Sequence, residues 1–143
     1  MTRAVPTPDP PLIDTDVASV LYRARLFRHV VPVGLARAVA ARPLALSVIT
    51  LGEASYGALS RKWSARRTAE MLAFYADHFD VVDLRWPGAL EYGRLRAASE
   101  ALGRPVAGND LWIAASATAN GLPLVTLNRR HFEPLTLHGL HLL

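Results

Sequence analysis

The chain has 143 residues, 51% of them hydrophobic and 20% charged, a formal net charge of +4 and no cysteine. That length suits one domain of the usual ~100–200 residues with its own core. The apolar content excludes a fully disordered chain, and the absence of cysteine excludes disulfides, thiolate metal sites and a cysteine nucleophile.

No apolar run approaches the ~18–20 residues of a membrane span, so no transmembrane helix is expected. The start, MTRAVPTPDPP, lacks an apolar core, so no secretory signal is expected there. Together with the missing cysteines this fits a cytoplasmic protein. Fifteen of the sixteen basic residues are arginine and Lys62 is the single lysine. A basic excess permits nucleic-acid or acidic-protein partners without selecting one.

Residues 1–11, with four prolines, read as a leader, and 12–143 as the domain. Leu12-Ile13 is a short apolar strand that ends in Asp14-Thr15-Asp16. Val17, Val20, Leu21, Ala24 and Phe27 then fall at helical spacing, with Asp16 placed as the N-cap. Pro32 and Pro43 bracket a short helix over 33–41. A second strand is expected over 44–49, a helix opened by Thr50-Leu51-Gly52-Glu53 to about Ser60, and a helix over 65–79. A third strand is expected over 81–84 and a helix from Pro87 to Leu102. Gly108-Asn109-Asp110 opens an almost wholly apolar helix over 111–119, closed by Gly121. A fourth strand over 122–127, a short helix near 129–132 and an edge strand over 137–142 complete the chain. Strands alternating with helices predict an α/β fold, a mainly parallel sheet of four to five strands flanked by helices.

In such a sheet ligands bind at the carboxyl ends of the strands. Asp14, Glu53, Asp110 and Asn128 all follow a strand or open a helix on that edge. Three carboxylates and an amide oxygen make an oxygen-donor set suited to Mg²⁺ or Mn²⁺. Divalent ions there would neutralise the carboxylates and activate a water for attack on a phosphodiester. Each residue also has a purely structural role open to it. Asp14 and Asp16 suit helix caps, Thr50-x-x-Glu53 matches a capping box, Asp110 suits the first turn of a helix, and Asn128 suits a turn. The argument rests on their sharing one edge.

The segments LIDTDVASVL, LALSVITLGEASYGAL and GRPVAGNDLWIAASATANGLPLVTLNRRHF, with the helix between Leu90 and Leu102, resemble PIN-domain proteins, most of all the VapC toxins of bacterial toxin–antitoxin pairs. The resemblance runs from about Leu12 to Leu142. It implies a Mg²⁺- or Mn²⁺-dependent endoribonuclease, usually dimeric and held inactive by a cognate antitoxin. RNA is then the substrate, a structured RNA such as tRNA included. Asp14, Glu53 and Asp110 match the family's metal-binding acids, and Asn128 stands where members carry Asp or Asn. A further acid often found three residues later is His131 here.

Other features stay open. Arg61-Lys62-Trp63 with Arg66 and Arg67 is a basic cluster with an aromatic, suited to RNA phosphates or to a solvated helix face. Arg23, Arg25 and Arg28 suit a substrate groove or the helix dipole. The stretches 36–46 and 51–59 suit a dimer or antitoxin surface, or the core. His29, His78, His138 and His141 lack metal-ligand spacing, and Ser47, Ser55, Ser60 and Ser116 lack a base partner. Two further readings compete with the nuclease. Asp14-x-Asp16 after a strand resembles phosphatases of the haloacid dehalogenase type, which need a downstream lysine, here only Lys62. A PIN domain without catalysis would be an RNA- or protein-binding module.

Overall fold

In the computed structural model, which describes residues 9–27, 30–40 and 43–143, four strands form a single parallel sheet in the order β3-β2-β1-β4. They are β1 (Leu12–Ile13), β2 (Ala45–Ser47), β3 (Asp80–Val82) and β4 (Leu124–Val125). Leu12 pairs with Ala45 on one side and Leu124 on the other, and Ile13 pairs with Leu46 and Val125. A parallel sheet is covered on both faces, so its inner strands are apolar throughout rather than alternating. Leu12 and Ile13 are both fully buried. Successive side chains point to opposite faces, and the core divides accordingly. Leu12, Ala45 and Leu124 pack with Leu95, Leu111 and Ile113. Ile13, Leu46 and Val125 pack with Val17, Met71 and Tyr75. The first cluster is covered by α5 (Arg85–Ala101) and α6 (Gly108–Ala119), the second by α1 (Thr15–Phe27), α3 (Val48–Ser60) and α4 (Ala65–His78). Each such aliphatic side chain contributes roughly 1.5–3 kcal/mol by leaving water. Two short helices, α2 (Val33–Val39) and α7 (Arg129–Phe132), complete the set. Among the described residues no helix is long and apolar enough to cross a membrane.

The strands are shorter than the sequence suggested, and side chains explain why. Ser47, expected mid-strand, accepts the Ile49 N–H at 3.1 Å and starts α3 at Val48. Thr126, expected inside the fourth strand, accepts the Asn128 N–H at 2.9 Å and turns the chain. The edge strand over 137–142 is replaced by a 3₁₀ helix, Glu133–His138, followed by a single parallel bridge between Leu142 and Leu124. Helix α1 opens two residues early, at Thr15, because Asp14 rather than Asp16 caps it: Asp14 Oδ1 accepts the Val17 N–H at 2.9 Å. Helix α5 likewise begins at Arg85, before Pro87.

Pro11 is buried, and its carbonyl accepts the Ala45 N–H at 2.9 Å. The rest of the leader up to residue 8, Ala41 at the end of the expected short helix, and Arg28 and His29 lie outside the described residues.

Candidate active site

Because all strands run the same way, Asp14, Thr126 and the start of α3 emerge on one edge of the sheet. Asp14 follows β1 directly and is only 4% exposed. One of its oxygens caps α1, and the other accepts a 2.5 Å hydrogen bond from the Thr126 hydroxyl. Burial is the main influence on this carboxyl and pushes it up to about 6. The Thr126 and Val17 hydrogen bonds pull it down, and the nearby carboxylates Asp16 and Asp110 push it up again. The protein therefore holds a largely desolvated acid at the edge of its sheet, which costs free energy in the ionised form.

Glu53 lies in the second turn of α3. It accepts 2.6 Å from the Thr15 hydroxyl and 3.2 Å from the Asn109 amide. Thr15 spends its proton on Glu53, so the Thr50 hydroxyl, 3.1 Å away, donates to Thr15. Thr50 and Glu53 thus form no capping box; Ser47 caps the helix and Thr50 is a buried tie to α1. Asp110 stands in the first turn of α6 with its carboxylate 3.3 Å from His131 Nδ1. Burial raises its pKa first; His131 lowers it, and Glu53 and Asp16 raise it. Asn128 donates to Asp16 through its side-chain amide.

All four residues singled out from the sequence therefore sit at this edge, joined by Asp16, which sequence reasoning had spent on capping. Thr15, Asn109 and Thr126 were missed as well. A hydroxyl beside a strand end carries no sequence signal that separates it from any other threonine. The donor set is carboxylates, hydroxyls and an amide, with one imidazole, and it fits a hard, oxygen-seeking cation such as Mg²⁺ or Mn²⁺. Among the described residues no three acidic or histidine side chains are drawn to a common ligand distance. Each carboxylate is instead turned to a neutral donor or to His131, as mutual repulsion of like charges requires.

The serines of the sequence analysis find a structural use. Ser47 and Ser116 share a buried 2.8 Å hydrogen bond between β2 and α6. Lys62 lies in the α3–α4 turn with a positive φ of 55°.

Residues 12–134 match the PIN domain. The chain belongs to that family. Over 90 residues it is 37% identical to a tRNA(fMet)-specific endonuclease VapC of Shigella flexneri, which spans 63% of this chain and 67% of that protein. The fold is similar to VapBC of Salmonella typhimurium bound to DNA, with a TM-score of 0.70, 26% identity and coverage of 94% and 96% of the two chains. VapBC2 of Rickettsia felis bound to a promoter DNA fragment has the same fold, with a TM-score of 0.73, 24% identity and coverage of 94% and 98%. Membership in the PIN family removes the phosphatase reading of Asp14-x-Asp16, and Lys62 stands in an exposed turn between two helices.

Proposed function

We propose that this PIN domain is an endoribonuclease toxin of the VapC type, acting in the cytoplasm on RNA with the help of Mg²⁺ or Mn²⁺ and restrained by a cognate antitoxin. The observation that carries it is the convergence of Asp14, Asp16, Glu53 and Asp110 on one sheet edge, close enough that neighbouring acids raise Asp14 and Asp110. The VapC relative that acts on tRNA(fMet) and the VapBC folds support the substrate class, tRNA included, and the antitoxin.

Asp14, Glu53 and Asp110 would hold the cation, which supplies charge neutralisation and activates water for phosphodiester hydrolysis when bound. Thr126 and the Val17 N–H orient the Asp14 carboxylate so that its position does not depend on the ligand. Thr15 and Asn109 do the same for Glu53. Asn128 holds Asp16 beside them and assists at the same edge. A homodimer belongs to the same proposal, and α3 supplies an apolar surface for a partner: Tyr56 and Leu59 are more than 70% exposed, whereas Leu44, Leu46 and Ala58 from the same stretches are core.

One observation favours a second reading, a PIN domain that binds RNA or protein without cleaving. Asp110 is engaged by His131, at the position where relatives often carry an acid. One assay separates the two. Purified protein is incubated with total RNA and with tRNA in Mg²⁺, Mn²⁺ or EDTA, beside Asp14→Asn. Discrete products that require the ion and vanish in the variant are expected. Uncut RNA with both ions, from folded protein free of antitoxin, overturns the nuclease and leaves the binding module.

A further inference from the structure

A cleft of about 480 Å³ opens between α1, α3 and α4 and shares Asp16 and Glu53 with the acidic edge. Its remaining lining includes Arg23, Arg61, Arg67 and Trp63. We propose that this cleft is the subsite for RNA nucleotides beside the scissile bond, with Arg61 and Arg67 holding their phosphates and Arg23 lining the same path. The inference rests on the nuclease reading above and adds where the substrate lies.

Three features argue against these arginines being an ordinary solvated helix face. Among the described residues Arg23, Arg61 and Arg67 take part in no ion pair, whereas Arg66, Arg94, Arg96 and Arg104 each face a carboxylate. Arg67 stands in the first turn of α4, capped by Ser64, where a cation opposes the helix dipole. Helix stability does not place it there. It is nevertheless held: its guanidinium lies 3.7 Å above the Trp63 ring, and the Arg61 guanidinium is 6.0 Å from the same ring.

The turn that presents Trp63 is itself built for the purpose. Helix α3 ends with the Lys62 N–H on the Leu59 carbonyl and the Trp63 N–H on the Ala58 carbonyl, at 3.0 Å each. This closure requires a left-handed residue, and Lys62 occupies it where glycine is usual. It folds Trp63 back against the second core cluster. Gly57, in the last turn of α3, lines the same cleft beside Arg61, and a Cβ there would meet Arg61 Nη1 at 3.4 Å, an ordinary contact. Trp63 is thus a positioning residue, and the fixed guanidiniums present planar donors of the kind that pair with phosphate oxygens. A phosphodiester chain with one phosphate at the acidic edge would run its neighbours past them.

The test uses the Asp14→Asn protein in EDTA, so that binding is read without cleavage. The probe is a fluorescein-labelled single-stranded RNA of about 12 mixed nucleotides, followed by anisotropy over a KCl series. The double change Arg61→Gln and Arg67→Gln is expected to weaken binding at least tenfold at about 100 mM KCl and to lower the salt slope by about 1.4, two phosphates at ~0.7 each for a single strand. The change of both to lysine should keep the slope. Arg66→Gln, which is paired with Glu70, should leave binding within twofold. Thermal melting confirms that each variant folds.

In the cleaving protein the double glutamine variant should raise KM with kcat little changed. Undiminished binding, no binding by the parent, equal loss in Arg66→Gln, or capture of a polyglutamate peptide in place of RNA each overturns the subsite. If the parent cleaves RNA and the variants bind it normally, the subsite falls and the nuclease stands. If nothing cleaves and binding still depends on Arg61 and Arg67, the nuclease falls and takes with it the subsite's place beside a scissile bond, and the cleft stands only as an RNA-binding site.

Discussion

Replacing Asp14 by Asn should abolish RNA cleavage and yet stabilise the metal-free protein. Asp14 is only 4% exposed, and its carboxyl is raised from 3.8 to about 6, chiefly by burial. A carboxyl whose folded pKa lies above its unfolded one keeps its proton better in the native state. Its ionisation therefore destabilises the fold, and stability falls as pH rises from about 4 through 6. A shift of about two units is worth ~3 kcal/mol at pH 7.5, about half of that at pH 5 and little below pH 4. Asparagine keeps the acceptor for the Val17 N–H. Its amide then faces the Thr126 hydroxyl, which already accepts from Asn128 N and loses the acceptor for its own proton. That loss costs ~1 kcal/mol. The net gain is ~2 kcal/mol at pH 7.5, a rise in Tm of roughly 5 °C for a domain of this size, shrinking to ~0.5 kcal/mol at pH 5 and reversing sign below about pH 4. The assay is thermal unfolding in EDTA across pH 4–8, repeated with Mg²⁺. Mg²⁺ should raise the wild type and leave the variant unchanged. A variant no more stable than wild type at pH 7.5 in EDTA would refute the desolvated carboxylate, and with it the account of why this edge demands a cation.

Three further outcomes follow from particular contacts. Thr126→Val removes the donor that lowers the Asp14 pKa, so the acidic limb of the cleavage pH profile should move to higher pH, with activity partly recovered above it; an unmoved limb would place the titrating group elsewhere. Lys62→Gly should raise stability by ~1 kcal/mol in a denaturant melt, because Lys62 holds a positive φ at a position glycine occupies without strain. Ser47→Ala removes the α3 cap and the partner of Ser116, both buried, and should cost ~1–3 kcal/mol; a loss below 0.5 would show that the pair is not a tie between sheet and helix.

The fold class was legible because its signal is carried by apolar runs. Leu12-Ile13 and Leu44 to Ser47 are buried on both faces, as strands within a parallel sheet must be, and α6 is apolar nearly all round because it is core. What the runs do not carry is where each strand stops. Ser47 and Thr126 end their strands by capturing a backbone N–H two residues on, a local competition that residue type alone does not decide. The last apolar stretch was misread for a related reason. Leu135 and Leu140 are both core, yet they reach it from a 3₁₀ turn and from the chain after it rather than from one extended strand.

The site was legible through topology rather than through any residue by itself. Asp14, Glu53, Asp110 and Asn128 each have an ordinary structural use, and only a shared sheet edge brings them together. The division of labour between Asp14 and Asp16 could not be read from Asp-Thr-Asp, because either could cap α1. The structure gives the cap to the buried Asp14, and this frees the exposed Asp16 to face Asn128. That choice has a chemical consequence. The acid that caps the helix is also the acid most deprived of water, so the fold itself holds in place the carboxylate that gains most from a cation.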